Sequence, residues 1–280
     1  MTAGPVPDGA PLGRTLMAGT VSVVIGGSAG IGLAAAWALA RHGSAVELAA
    51  IDPPGVDRAA GEMRDAGHQA RGTVLDVADP GQIASFMAGV AARHGRLSVL
   101  VNSAGIQRYG TAETTPVSVW DEVLDVNVRG MFLAAGQAVP LMRRSGGGAI
   151  VNVASAQATA TQRNVVAYTA SKGAIVAMTR AMAVDHAPDG IRVNSVSPGS
   201  VDTPMLRAAA RDVSAEDPDS VIAQWGSLHP LGRVGAPAEI ADVILFLASP
   251  LSSFVTGADL RADGGVLAGV ALPAPAITDT

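Results

Sequence analysis

Six short apolar runs recur along this chain with helically patterned stretches between them, and no other feature limits the possible fold as sharply. The runs are 20–25 (TVSVVI), 45–51 (AVELAAI), 72–75 (GTVL), 97–101 (LSVLV), 149–153 (AIVNV) and 191–196 (IRVNSV). Such runs, rich in Val and Ile, suit strands covered on both faces. Helical patterns at 33–42, 80–94, 117–143, 165–187 and 237–248 complete the alternation. The pattern predicts an α/β chain with a single doubly wound parallel sheet and helices on both faces. Such sheets bind ligands at the carboxyl ends of their strands.

At 280 residues and 49% hydrophobic content, one domain over 15–269 can bury such a core. Residues 1–14 read as a disordered tail and 270–280 as a C-terminal tail. Segment 204–230 is less regular and reads as a surface excursion or lid. Residues 15–40 carry no charge, which by length alone suits a membrane span. Glycines at 19, 26, 27, 30 and 32 divide that stretch into a Val/Ile-rich half and an Ala/Leu-rich half, so it reads as strand, turn and helix instead.

A formal net charge of -5 without any long run of Lys and Arg argues against a nucleic-acid partner. The absence of cysteine excludes disulfides, thiolate metal sites and a cysteine nucleophile, and it fits a cytoplasmic location. His42, His68, His94, His186 and His229 show no metal-ligand spacing, so they read as surface or packing residues and no metal is expected.

Two stretches carry chemistry. VVIGGSAGIG follows the first strand and opens a helix, with Gly26, Gly30 and Gly32 at the turn. Small residues there let the backbone approach a pyrophosphate, whose charge the helix N-terminus receives. Farther along, Tyr168 stands one helical turn before Lys172. An ammonium beside a phenol favours the phenolate, and a phenol so tuned exchanges a proton with an alcohol or carbonyl.

Taken in order, further motifs resemble those of the short-chain dehydrogenase/reductase family over about residues 15–269. IGGSAGIG resembles its TGxxxGIG turn, LDVAD its adenine-contacting segment and VNSAG its NNAG strand end. NVRG supplies Asn127, IVNVAS supplies Ser155 and YTASK is the YxxxK pair, while VSPGSVDTPM and DGGVLAG match the segments after the sixth strand and near the C-terminus. Ile25 departs from the usual threonine and Ser103 from the second asparagine.

The resemblance implies a Rossmann-like domain that interconverts a secondary alcohol and a ketone. It implies that Tyr168 exchanges the proton, Lys172 lowers the phenol's pKa and holds the nicotinamide ribose, Ser155 bonds the substrate oxygen, and Asn127 positions a water leading to Lys172. Ser28, Ile31, Asp52, Asp76, Val77, Asn102, Ala104, Gly105, Pro198, Gly199, Val201 and Thr203 join the three glycines, Tyr168 and Lys172 as expected cofactor contacts. Ser155, Gln157 and Tyr168 are expected substrate contacts, with Gln107, Arg163, Asn164, Ser200, Met205, Leu206 and Trp225 as further pocket candidates. Asp76 also reads as an ordinary turn residue, and Arg163 as a solvated loop arginine.

The family's acid at the end of the second strand is replaced by Ala50, and the first acid is Asp52. Pro53 keeps residue 52 extended, so the strand is expected to reach Asp52 on the face of Ala50, about 6.5 Å farther along. No basic residue in either segment is placed to meet a 2′-phosphate, so NAD is expected over NADP. The alternatives are an NADPH-dependent carbonyl or 3-oxoacyl reductase and a non-catalytic dinucleotide-binding regulator. A homotetramer packed through the helices at 117–143 and 165–187 is also implied, with a small-molecule alcohol or ketone as substrate and no membrane.

Overall fold

The computed structural model describes residues 15–269; the tails expected at 1–14 and 270–280 lie outside the described residues. The chain runs β1 (Val21–Ile25), α1 (Gly30–Arg41), β2 (Ala45–Ala50), α2 (Pro53–Asp65), β3 (Ala70–Val74), α3 (Pro80–His94) and β4 (Val99–Asn102). It continues through α4 (Val117–Leu124), α5 (Gly130–Arg144), β5 (Gly148–Val153), α6 (Val166–His186) and β6 (Ile191–Pro198), then α7 (Pro204–Val213), α8 (Pro218–Ser227), α9 (Pro237–Ala248) and β7 (Asp259–Ala262). All strands are parallel, in the order β3-β2-β1-β4-β5-β6-β7.

The apolar runs behave as their composition dictates. β1, β4 and most of β5 are buried throughout, because helices cover both faces of the sheet. On one face Leu39 of α1, Met63 of α2 and Ile244 of α9 pack into a single cluster. On the other, Ile83 of α3, Ala138 of α5 and Met182 of α6 do the same. Strand order reverses between β1 and β4, which opens a crevice at their carboxyl ends.

Several expected elements differ in detail. The helix expected at 117–143 is divided by a wider π-type turn at Asp125–Arg129, a feature frequent at functional sites. Segment 204–230 is not irregular: it forms α7 and α8, which are capped by Thr203 and Asp217, whose side chains accept from Leu206 and Ser220 backbone N–H groups. α2 and β7 were not expected. β7 is four residues long with two charges; its Asp259 accepts from Ser195 and Ser197 of β6, while Leu260 and Ala262 pack against the core.

The strand expected to reach Asp52 ends at Ala50. Asp52 instead caps α2, its Oδ2 accepting from Gly55 N–H at 3.1 Å. Pro53 keeps residue 52 extended as anticipated (φ -90°, ψ 104°), but it does so as the first residue of a helix, where its missing N–H costs nothing.

Candidate active site

Residues 26–29 alone turn the chain from β1 into α1. Gly26 has φ 80°, and a Cβ there would lie 2.5 Å from the Ala104 nitrogen at the end of β4. A Cβ on Gly32 would strike the Gly26 carbonyl oxygen, and one on Gly30 would meet the Thr203 methyl at 3.2 Å. No side chain caps α1, so its leading N–H groups are left for a ligand. This cradle, which Cβ atoms would fill, fits a dinucleotide pyrophosphate.

The other cofactor candidates surround the cradle. Ser28 in the turn and Ile31 in the first turn of α1 are half-buried, and a Cβ on Gly55 would meet both the Asp52 carboxylate and Ser28 Cβ, so the α2 cap borders the turn. Asp76 Oδ1 accepts from Ala78 N–H at 2.9 Å, the geometry of a turn residue. Val77, Asn102 and Ala104 line one small cavity with Gly130. Asn102 donates to Asn152 at 2.9 Å, while its Oδ1 is buried with no partner among the described residues. Pro198 ends β6, Gly199 follows it, Val201 pairs with Gly235, and Thr203 caps α7 against Gly30.

The four catalytic candidates come together: Asn127 and Lys172 border Gly105, Tyr168 lies against Lys172, and Ser155 interacts with the Tyr168 hydroxyl. Asn127, in the π-type turn, is fully buried; its Oδ1 accepts from Ile106 N–H at 2.8 Å, and its Nδ2 donates to Ile106 O at 2.9 Å and Ser171 Oγ at 3.0 Å. A Cβ on Gly105 would stand 3.3 Å from Asn127 Oδ1 and 3.7 Å from Lys172 Nζ. Glycine thus leaves space between the amide and the ammonium. Lys172 donates to the Val153 carbonyl at 2.9 Å, and its Nζ lies 5.4 Å from the centre of the Tyr168 ring. Burial pushes the ammonium down to about 8. Burial also pushes the Tyr168 phenol above its ordinary value, and hydrogen bonding with Ser155 pulls the other way.

That last observation corrects an expectation. The phenol is not lowered toward neutrality here, because desolvation is its largest influence and acts upward. Ser155 follows β5, and its Oγ accepts from Gln157 N–H at 3.1 Å. Gln157 Oε1 is buried without a partner among the described residues. Arg163 and Asn164 are exposed, and Asn164 has φ 62°.

The model of the family described as Enoyl-(Acyl carrier protein) reductase matches residues 26–267. The chain belongs to the short-chain dehydrogenase/reductase family. A cis-4-hydroxycyclohexanecarboxylate dehydrogenase of Sinomonas cyclohexanicum is 39% identical over 249 residues, covering 89% of this chain and 96% of that one. A 2-(S)-hydroxypropyl-CoM dehydrogenase 3 of Xanthobacter autotrophicus is 38% identical over 250 residues, covering 89% and 96%. The ligand-free aldohexose dehydrogenase of Thermoplasma acidophilum superposes with a TM-score of 0.85 at 35% identity, over 94% of this chain and 100% of that one. This short-chain dehydrogenase/reductase is therefore an oxidoreductase acting on alcohol or ketone substrates and uses a nicotinamide dinucleotide. Among the described residues no helix is long and apolar enough to cross a membrane.

Sequence reasoning missed the supporting residues of this site. Ser171 links Asn127 to α6, donating to the Tyr168 carbonyl at 2.7 Å. Gly55 borders the cradle, and a Cβ on Gly130 would meet the Val77 carbonyl at 2.8 Å. None has a spacing signal; each acts through a contact between distant segments. Two histidines read as surface or packing residues also make specific bonds: His94 Nε2 lies 2.8 Å from the buried Glu47 carboxylate, which Arg93 also grips, and His229 is buried with a bond at each ring nitrogen.

Proposed function

We propose that the protein is an NAD-dependent dehydrogenase interconverting a secondary alcohol and a ketone, with Tyr168 as the proton-exchanging group. The observation that carries this reading is the grouping of Asn127 and Lys172 about Gly105, with the Tyr168 ring against the Lys172 ammonium and Ser155 interacting with the Tyr168 hydroxyl, at the strand ends that also bear the glycine cradle. The bound dinucleotide supplies the acceptor or donor for a hydride. Tyr168 receives the alcohol proton when the alcohol is oxidised and gives it back when the ketone is reduced. Ser155 donates to the same oxygen and stabilises charge that develops on it. Lys172 supplies a nearby cation and a donor for ribose hydroxyls, and Asn127 Oδ1, which has one acceptor position left beyond Ile106, borders the same space.

Preference for NAD is supported by Asp52, exposed at the cap of α2 and bordering Ser28, where its charge opposes a 2′-phosphate. The activities for which the relatives are named guide the substrate panel: hydroxycyclohexanecarboxylates, other secondary alcohols and aldohexoses, each with NAD and NADP. Reduction of NAD in that panel supports the reading; turnover only with NADPH and ketones supports the carbonyl-reductase alternative. A homotetramer is proposed as well, supported by exposed Val117, Phe132 and Val184 on α4, α5 and α6. Light scattering that gives a monomer at micromolar concentration contradicts it.

A further inference from the structure

We propose that His229 is a positioning residue that holds the loop after β6 against the dinucleotide cradle, an inference that rests on the cofactor reading above. His229 follows α8 and is 5% exposed. Its Nε2 meets the Ser200 backbone N–H at 3.1 Å and its Nδ1 meets the Trp225 carbonyl at 3.0 Å. A backbone N–H only donates and a carbonyl only accepts. Both bonds are therefore satisfied by one form of the ring, the neutral imidazole with its proton on Nδ1.

The ring thus joins α8 to the 199–203 loop, and a third segment closes around it. A Cβ on Gly264 would meet the imidazole at 3.3 Å; a Cβ on Gly199 would lie 2.8 Å from His229 Nε2 and 2.9 Å from the Asp263 carbonyl oxygen. Asp263 holds its own turn, accepting from Gly265 N–H at 3.0 Å and Leu267 N–H at 3.1 Å. Gly199 is clasped between the imidazole and that turn. Four residues beyond Gly199, the Thr203 methyl stands against Gly30. Displacement at Ser200 is accordingly passed along a short loop to the glycine turn.

Removing the Nε2 acceptor leaves the Ser200 N–H without its partner, and the loop must shift to find another. Tyr168, Lys172 and Ser155 lie on other segments, so chemistry at saturation is preserved while affinity falls. His229→Leu fills similar space without an acceptor; His229→Gln offers an amide oxygen that can reach the Ser200 N–H. The probes are NAD and NADH, followed by titration calorimetry and by steady-state kinetics. His229→Leu is expected to weaken dinucleotide binding and raise its KM about tenfold, near the net worth of one buried hydrogen bond. Its kcat should stay within about twofold, and His229→Gln should restore most of the affinity. Wild-type affinity in His229→Leu, or equal loss in Leu and Gln variants, overturns the positioning role. If His229→Leu does not fold, hydrogen exchange of the wild-type Ser200 amide tests the same bond: protection that deepens when NAD binds supports it, and an amide that exchanges unprotected overturns it. Wild-type protein that binds neither NAD nor NADH defeats the cofactor reading itself, a result separate from any difference among the variants.

Discussion

The Lys172 ammonium donates to the Val153 carbonyl at 2.9 Å inside a site that leaves the residue only 5% exposed. Lys172 is also the only lysine in the sequence, so its titration can be observed without overlap. Burial lowers it from 10.5 to about 8. Between about pH 8 and 10.5 the unfolded chain therefore holds a proton that the folded one has released, and stability rises with pH through that window. The gain is about 3 kcal/mol at most. Lysine-labelled protein should show one side-chain resonance titrating near 8, and Lys172→Met should lose the stability gain. A midpoint near 10.5 contradicts the buried ammonium.

Burial raises the Tyr168 phenol, so the neutral phenol prevails at neutral pH. In the proposed reaction, ketone reduction uses that form and alcohol oxidation uses the phenolate. Oxidation rates should climb as pH rises into the alkaline range, and reduction rates should fall over the same range. Profiles of kcat/KM in the two directions check this, and a flat oxidation profile with chemistry rate-limiting contradicts it.

Gly32→Ala should abolish measurable dinucleotide binding while leaving the helical circular dichroism near wild type. Its Cβ strikes the Gly26 carbonyl oxygen, and that glycine has no freedom to retreat because Ala104 stands behind it. Binding within threefold of wild type contradicts the cradle.

Asp52 caps α2 and, in the proposed reading, also disfavours a 2′-phosphate. Asp52→Asn keeps an oxygen for the Gly55 N–H and removes the charge; Asp52→Ala removes both. Only the alanine variant should lose about 1 kcal/mol of stability. Both should gain relative preference for NADP, read as the ratio of kcat/KM for the two cofactors. Unchanged ratios show that Asp52 does not read the ribose.

The sheet was legible in the sequence because strands covered on both faces need continuous apolar runs, as VSVVI and AIVNV are. β7 was not, since its Asp259 is held by hydroxyls of β6. α2 was hidden by its opening PPG, which reads as loop until Asp52 is seen as a cap. In the candidate site, glycine spacing and the Tyr168–Lys172 turn are local signals and survive in one dimension. The direction of the Tyr168 shift is not local, because it depends on desolvation by the assembled fold. His229 was illegible for the same reason: Ser200 and Gly264 reach it from opposite sides along the chain.

The central claim, that Tyr168 exchanges the proton in an NAD-dependent alcohol–ketone reaction, is tested most directly by comparing wild type and Tyr168→Phe. The measurement is reduced-nicotinamide absorbance with NAD and the best alcohol of the panel, alongside NAD affinity. Tyr168→Phe should bind NAD as wild type does and turn over about two to four orders of magnitude more slowly, because the ring still packs and the transferable proton is gone. A variant that keeps more than about a tenth of wild-type kcat, with the chemical step rate-limiting, contradicts the account.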